Sequence, residues 1–285
     1  MGEGLPLDLI ATVLALVAAV LHASWNAAIK VRGDRLMAMA MLCAGSALCG
    51  LPFALLADPI DPACFPYLAG TIAVHCLYYV FLLESYRVAD LSHAYPLARG
   101  SAPLWVAMTA PLFLGENLTL YEAAGIGLVS AGILSLVHAG GGLFRNWRGV
   151  AFPLLTGVTI AVYSTFDARG VRVSDSPLGY IGWLFLLDGF PIVAYVLIRK
   201  PMALKAAWRE NARIGVVGGF VSFLGYGLVV LAMSFSQATH VVALRETSVI
   251  IAAGIGAWML GEPFGPRRIL AAALVAAGAI VLKLG

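Results

Sequence analysis

The sequence predicts an all-α polytopic membrane protein with ten transmembrane helices arranged as two inverted five-helix repeats. Three observations lead to this fold class: the composition, the length of the apolar runs, and a repeat at a fixed offset. Hydrophobic residues make up 61% of the chain and charged residues 12%, with a mean hydropathy of +0.92, whereas soluble domains carry about 25% charged residues. This composition excludes a soluble protein. The net charge of +3 comes from short basic clusters between apolar runs, so we expect no nucleic-acid partner.

The apolar runs have the length that a bilayer requires. A hydrocarbon core of about 30 Å needs about 20 helical residues at about 1.5 Å each. Ten such runs are delimited by charged residues, Pro and Gly, near 7–29, 36–56, 64–86, 92–114, 121–139, 150–169, 177–198, 214–235, 240–260 and 268–284. The loop 199–213 predicts an interfacial amphipathic helix, with Lys205 and Arg209 facing water and Leu204 and Trp208 facing lipid.

The two halves of the chain repeat each other. An offset of 146 residues aligns ARGSAPLWVAMTAPLFLGEN with LRETSVIIAAGIGAWMLGEP, which pairs Arg99 with Arg245 and Glu116 with Glu262. An offset of 141 aligns HASWNA at 22–27 with YSTFDA at 163–168. Because five helices is an odd number, the two repeats, 1–140 and 149–285, must insert with opposite orientations. This arrangement is typical of secondary transporters.

Basic residues predict the orientation of the chain, because short basic loops stay in the cytoplasm. Loops after the odd-numbered runs carry 13 of the 18 Lys and Arg residues, and the other side carries three. The remaining two are Arg99 and Arg245, which lie within runs. The count predicts that both termini are outside the cell.

Three segments resemble the EamA-like family of the drug/metabolite transporter superfamily. They are LHASWNAAIK, DLSHAYPLARGSAPLWVA with its terminal LGE, and VVALRETSVIIAAGIGAWMLGEPFGPRR. The resemblance covers essentially the whole chain and implies a ten-helix basket whose cavity is lined mainly by helices 1, 3, 4, 6, 8 and 9. It also implies transport of small organic solutes, including amino acids exported by bacterial members. The family's usual topology has cytoplasmic termini, from which the charge count departs.

Arg99 and Arg245 are the first candidate functional residues, because each lies inside a long apolar run. A central arginine raises the insertion free energy by about 2.5 to 3.5 kcal/mol and stays charged. The inverted symmetry predicts Arg99 in the inner half of the membrane and Arg245 in the outer half, on opposite sides of a central cavity. They would either anchor gates or hold a substrate carboxylate, or else form purely structural ion pairs.

The two arginines are expected to have different partners. Pro96 and Pro103 each remove a backbone N–H, which frees carbonyls beside the arginine of the fourth run. The ninth run contains no proline around its arginine, so an acid is expected there, with Asp188 and Glu246 as candidates. Glu246 directly follows Arg245, about 100° away on a helix, so these two need not pair.

Polar and aromatic side chains recur at i, i+3, i+4 spacing and therefore share helix faces. The faces consist of His22, Trp25 and Asn26 in the first run, His75, Tyr78 and Tyr79 in the third, Tyr163, Phe166 and Asp167 in the sixth, and Phe223 and Tyr226 in the eighth. Such faces must turn away from lipid, so they either pack between helices or line a cavity. Aromatic walls suit an apolar or aromatic solute and attract an ammonium group.

These features predict a secondary carrier, with export as the expected direction, for small organic metabolites. Amino acids are the leading substrate class, and the mechanism is alternating access between the repeats. The sequence has no G-x-x-x-x-G-K-[ST], H-E-x-x-H or G-x-S-x-G motif, so we expect neither an enzyme nor a cofactor or metal. The alternatives are a membrane enzyme acting on a lipid or lipid-linked phosphate, and a structural subunit without transport. We expect a monomer or homodimer in a bacterial inner membrane.

The orientation can be tested by cysteine labelling. In a variant without native cysteines, Asp58→Cys should react with a membrane-impermeant maleimide in intact cells, because its loop carries no Lys or Arg. Lys205→Cys should react only after the cells are opened. The opposite labelling pattern would reverse the predicted topology.

Overall fold

The helices of the protein follow the predicted apolar runs. The structure is a computed structural model and describes residues 7–29, 35–89, 91–137, 147–251 and 265–282. Those residues form helices and short connections, without any strand. The helices are α1 (Leu7–Ile29), α2 (Arg35–Leu56), α3 (Phe65–Val88), α4 (Leu91–Phe113), α5 (Leu120–Leu134), α6 (Arg148–Arg172), α7 (Pro177–Arg199), α8 (Pro201–Arg213), α9 (Gly219–Met233), α10 (Ala238–Arg245) and α11 (Pro266–Leu282). A π-helical turn, Ile214–Gly218, leads into α9.

Five helical stretches among the described residues are long and apolar enough to cross a bilayer. They are Leu36–Leu56, Pro62–Val88, Arg148–Arg172, Pro177–Arg199 and Gly215–Met233. Helices α1, α4, α5, α10 and α11 coincide with the other predicted runs. The all-helical class is therefore confirmed, whereas the count of ten spans and their inverted arrangement stay predictions.

Local capping explains where two of the helices begin. The Thr119 hydroxyl accepts from the Glu122 N–H at 3.2 Å, and the Glu122 carboxylate accepts from the Thr119 N–H at 2.6 Å, which forms a capping box at the start of α5. Ser176 accepts from the Gly179 N–H at 3.2 Å, and Pro177 occupies the first position of α7.

The interruption of helical structure lies in the ninth run and not in the proline-rich fourth. Helix α4 continues through Pro96 and Pro103, whereas α10 ends at Arg245 and residues 246–247 form a turn before helix resumes at 248. The Thr247 N–H donates to the Leu244 carbonyl three residues back, at 3.2 Å. A regular helix separates adjacent side chains by about 100°, yet the long Arg245 side chain reaches the Glu246 carboxylate at the end of α10.

Helices of the first half pack mainly against helices of the second half. The most extensive contacts join α2 with α7, α3 with α6, α5 with α11, α4 with α6, and α1 with α9. Glycine allows the α5–α11 approach, since a Cβ on Gly125 would lie 2.7 Å from the Leu282 nitrogen and 2.9 Å from the Gly278 oxygen. Small residues at such crossings are usual for helices in lipid.

Helix α8 is amphipathic as predicted, but its apolar face contacts protein. Leu204 is buried with Met41 and Val196, and Trp208 packs against the same cluster. The expectation that Leu204 and Trp208 face lipid is therefore wrong. The reason is that α8 lies back along α2 and α7, and its aromatic ring occupies the space above Gly215.

The loops after α2, α4, α6 and α9 lie at one end of the bundle. The Asp61 N–H donates to the Ser174 carbonyl at 2.9 Å, which joins the α2–α3 and α6–α7 loops. Arg172 at the end of α6 binds Glu116 of the α4–α5 loop at 2.6 Å and the Ser236 carbonyl of the α9–α10 loop at 2.8 Å. These are the loops that the charge count assigns to one side of the membrane.

The α5–α11 contact can be tested with two glycines of one helix. Gly125→Ala should cost about 1–3 kcal/mol of unfolding free energy, because the added methyl group meets backbone atoms of α11. Gly127→Ala is the matched control, because no atom lies within 4 Å of its Cβ position. Thermal unfolding in detergent should show a lower Tm for the first variant alone. Equal Tm values for the two variants would contradict the close contact.

Candidate functional site

One carboxylate binds both intramembrane arginines. Glu246 Oε1 accepts from Arg99 Nη1 at 3.1 Å and from Arg245 Nε and Nη2 at 3.1 and 2.8 Å. The three residues are 0%, 5% and 2% exposed, respectively. Arg99 also contacts His22 Nε2 through Nη2. We call Arg99, Arg245 and Glu246 the arginine triad.

The triad corrects two expectations from the sequence. Arg99 and Arg245 do not lie on opposite sides of a cavity, because α4 and α10 are in contact and both guanidinium groups reach the same oxygen of Glu246. Arg99 binds this carboxylate and His22, and not the carbonyls freed by the prolines of α4. The physical reason is that a carboxylate neutralises a buried guanidinium, whereas a carbonyl only solvates it.

The triad has unused capacity for hydrogen bonding and charge. Two guanidinium groups share one carboxylate, which leaves one net positive charge in a buried place. Among the described residues, Glu246 Oε2, Ser248 Oγ and the Tyr95 hydroxyl have no hydrogen-bond partner. The Tyr95 ring lies under Arg99, with the guanidinium carbon 5.7 Å from its centroid. Buried polar atoms without a partner are uncommon in proteins.

An aromatic wall lies beside the triad. His75 and Tyr163 stack with their centroids 4.1 Å apart, and Tyr78 and Tyr226 each stand edge-on to Tyr163 at 5.8 Å. The guanidinium carbon of Arg245 is 5.9 Å from the Tyr226 centroid. We call His75, Tyr78, Tyr163 and Tyr226 the aromatic wall. These residues come from α3, α6 and α9, and Tyr226 contacts Arg245 of the triad.

Two carboxylates lie on the other side of this wall, and the first is Asp167. Its Oδ2 accepts from the Tyr226 hydroxyl at 2.6 Å, and its Oδ1 accepts from the Tyr180 hydroxyl at 3.1 Å. Asp167 is fully buried. It shares a helix face with Tyr163, as its spacing predicts, but the contribution of Tyr180 from α7 has no signal in the sequence.

The second carboxylate, Asp188, lies at the midpoint of α7 and binds two side chains of α3. Its Oδ2 accepts from the Tyr79 hydroxyl at 2.8 Å, and its Oδ1 lies 3.4 Å from His75 Nδ1. That imidazole nitrogen is also 3.1 Å from the Thr71 carbonyl oxygen. The Tyr79 hydroxyl lies 3.5 Å from the sulfur of Cys43 on α2. Within the described residues, Asp188 does not pair with either arginine. It was one of the two acids, with Glu246, that the sequence offered as a partner for Arg245.

The structure places one further candidate, Phe166, away from this cluster. The side chains of Trp25 and Asn26 lie outside the described residues. Phe166 lies against Gly70 of α3, where a Cβ would be 3.1 Å from its ring. Its position three residues from Tyr163 turns it by about 60° from that side chain, which directs it to the α3–α6 crossing.

A second carboxylate–arginine pair, absent from the sequence predictions, fixes the start of α10. Glu116 accepts from the Ala238 and Thr239 N–H groups at 2.9 and 3.2 Å and from Arg172 at 2.6 Å. Gly115 has a positive φ of 69°, a conformation that glycine adopts without strain. The repeated Gly-Glu pair in the sequence was the available signal. Its role is to hold α10, and with it Arg245, against the α4–α5 loop.

The site offers ion pairs, hydrogen bonds and aromatic faces. Among the described residues, no three His, Cys, Asp or Glu side chains converge as they would around a metal ion. The geometry places positive charge at the arginine triad and two carboxylates at the tyrosines of the aromatic wall.

A family comparison agrees with this membrane architecture. The sequence profile of the EamA-like transporter family matches residues 9–137 and 147–284. The chain belongs to the EamA-like transporter family. Membership indicates a multi-pass membrane transporter of metabolites.

Related sequences are distant and partial. A chloroplastic WAT1-related protein of Arabidopsis thaliana is 24% identical over 61% of this chain and 44% of its own length. A Streptantibioticus cattleyicolor protein named "Probable terminal-alkyne amino-acid exporter" is 25% identical over 64% of this chain and 61% of its own length. An uncharacterized transporter of Archaeoglobus fulgidus is 21% identical over 64% of each chain. The matched region thus spans less than two thirds of each relative.

The fold is also found among solved structures. One crystal structure superimposes with a TM-score of 0.77 over 96% of both chains, at 18% sequence identity. A likeness at this identity concerns the fold alone.

Removal of the shared carboxylate tests the triad. Glu246→Gln should cost about 3–5 kcal/mol, because two buried guanidinium groups lose their counter-charge. The apparent Tm in detergent should fall by more than about 5 °C. Glu84→Gln is the control, since Glu84 forms a largely exposed pair with Arg87 and such pairs contribute little. A Glu246→Gln variant as stable as this control would contradict the charge-neutralising role.

Proposed function

We propose that the protein is a secondary carrier of small organic metabolites, with amino acids as the leading substrate class. It would work by alternating access between two inverted five-helix repeats, residues 1–140 and 149–285, with ten spans and both termini outside. The family profile supports this division because it matches once in each half, at 9–137 and 147–284. Substrate movement would need no cofactor, and the protein would act as a monomer or homodimer.

The helix contacts support the inverted repeat. Exchanging the halves relates α1 to α6, α2 to α7, α3 to α9, α4 to α10, and α5 to α11. Under this exchange the α2–α7 and α5–α11 contacts map onto themselves, and the α3–α6 contact maps onto α1–α9. The α4–α6 contact likewise maps onto α1–α10. This is the pattern expected of a two-fold axis in the membrane plane.

The substrate proposal rests on one observation: the positively charged arginine triad and the negatively charged Asp167 lie at different parts of the aromatic wall. The triad has one positive charge more than its single carboxylate neutralises, and arginine binds carboxylates through its planar fork. Asp167 lies beyond Tyr226 with the opposite charge. A zwitterion would set its carboxylate at the arginines and its ammonium against the wall and the acids.

The triad also suggests how binding could drive the conformational change. Arg99 belongs to the first half and Glu246 to the second, so their contact at 3.1 Å links the two repeats. A substrate carboxylate that binds Arg99 would replace Glu246 and release this link. The interrupted helix after Arg245 fits such a role, because carriers commonly bind substrate at broken helices.

The relatives' names give further support. The Streptantibioticus protein is named as an amino-acid exporter, which favours amino acids and the outward direction for this chain. Location in a bacterial inner membrane is part of the same proposal.

Transport in liposomes tests the proposal. Purified protein should exchange labelled against unlabelled amino acid when each of the 20 standard amino acids is tried, and Arg99→Lys and Arg245→Lys should raise the half-saturating concentration about tenfold or more. Lysine keeps the charge but loses the bidentate fork, at a cost of about 1.5–3 kcal/mol for a charged hydrogen bond.

Arg87→Lys is the matched control, because Arg87 is exposed and pairs only with Glu84 within the described residues. Wild-type rates and affinities in both buried variants would refute the role of the arginines in binding. Exchange of a sugar or a quaternary amine, but of no amino acid, would refute the substrate class and leave a carrier.

A further inference from the structure

Helix α8 presents a stripe of positive charge away from the rest of the protein. Lys205, Arg209 and Arg213 follow one another at i, i+4, i+8 spacing, so at about 100° per residue they fall within an arc of about 80°. All three residues are exposed. Leu204 and Trp208, which pack against the bundle, turn to the other side of the helix. We call Lys205, Arg209 and Arg213 the basic stripe.

The charge of this stripe is not neutralised by the protein. Within the parts of the chain that the structure describes, no carboxylate forms an ion pair with any of its three residues. Two further exposed basic residues, Arg199 and Lys200, directly precede α8. The segment 199–213 carries five basic residues and one acid, Glu210, which gives a net charge of +4. Clusters of about four to eight basic residues next to a membrane-spanning helix are typical of sites for anionic lipids.

The packing of α8 places it beside the bundle and not on its tip. Its buried Leu204 contacts the cluster of Met41 and Val196. Met41 lies six residues inside α2 and Val196 three residues inside α7, which is about 9 and 5 Å from the ends of these helices at about 1.5 Å per residue. The headgroup layer on each side of a bilayer is about 5–8 Å thick. Helix α8 therefore lies at the depth of lipid headgroups.

Exposed apolar side chains adjoin the basic ones. Met202, which falls within the same arc of α8 as the basic stripe, is 74% exposed, and Ile198 at the end of α7 is 78% exposed. Lysine and arginine commonly lay their apolar stems along hydrocarbon while their charged ends reach polar groups. A nucleic acid or an acidic protein would match the charge but would leave the apolar side chains without a partner. A phospholipid supplies both an anionic headgroup and hydrocarbon.

We propose that the basic stripe of α8 binds the headgroups of anionic phospholipids in the leaflet that surrounds this end of the bundle. The two arginines would bind the phosphate oxygens through their planar forks, and Lys205 would add a single charge. This site is separate from the arginine triad and does not depend on which solute the protein carries. A bound lipid would also hold α8 against α2 and α7, and a ligand that binds the folded state stabilises it.

The test compares two lipids added to the purified protein in a nonionic detergent. Phosphatidylglycerol should raise the Tm of the wild type by about 3 °C or more, and phosphatidylcholine should not, because it has no net charge. The variant Lys205→Gln/Arg209→Gln/Arg213→Gln should lose this gain. Salt at 0.5 M should weaken the gain in the wild type by screening the charges. A wild-type gain that is the same with both lipids would overturn the proposal.

The matched control removes the same amount of charge from scattered positions. Arg87, Arg148 and Arg267 are exposed and lie at the ends of three different helices, α3, α6 and α11. Arg87→Gln/Arg148→Gln/Arg267→Gln should therefore keep the gain with phosphatidylglycerol. Equal loss in the two triple variants would assign the effect to overall charge and overturn the assignment to α8. Both variants leave the arginine triad intact, so this outcome is independent of the proposed carrier function.

A local measurement covers the case in which the triple variant of the stripe is unstable. In a protein without native cysteines, Met202→Cys is labelled with a fluorophore and placed in mixed bilayers that contain a lipid with a nitroxide near the start of its acyl chain. Quenching should be at least twofold stronger when the nitroxide is on phosphatidylglycerol than when it is on phosphatidylcholine, because the stripe concentrates the anionic lipid at this position. Equal quenching by the two lipids would overturn the proposal.

Discussion

The centre of the protein depends on the neutralisation of two buried arginines by one glutamate. A guanidinium cannot lose its charge in an apolar bundle, so Arg99 and Arg245 must find an anion. Glu246 supplies it to both. Arg99 on α4 and Arg245 on α10 reach the same carboxylate, and these two helices are in contact. The position of the aromatic wall follows, because Tyr226 packs against Arg245.

Polar groups in this bundle are grouped by sign, and this grouping supports the proposed recognition of a zwitterion. The triad keeps an excess of positive charge, while Asp167 and Asp188 lie behind tyrosines that donate hydrogen bonds to them. In a low-dielectric interior such charges act strongly on a bound molecule. An organic solute with two charges of opposite sign matches this arrangement better than a sugar or a lipid phosphate, which would leave one end of the site unpaired.

The site keeps its shape because its surroundings are fixed by close packing and capping. Glu116 holds the first N–H groups of α10 and the Arg172 side chain at one end of the bundle. Gly125 lets α5 approach α11 to backbone contact. These contacts involve both halves of the chain, so any movement that opens the site must shift whole helices relative to one another and not single side chains.

The sequence by itself determined the apolar helices, their approximate ends and the candidate residues, because length, hydropathy and i, i+3, i+4 spacing are local properties. It identified Arg99, Arg245, His75 and Asp188, and it named Glu246 as one of two candidate partners for Arg245. Only the tertiary structure decided that both arginines share Glu246, that Tyr180 reaches Asp167, and that Leu204 faces protein. The physical reason is that these contacts join helices distant in sequence, and a helical pattern fixes which face a residue occupies but not which helix lies opposite.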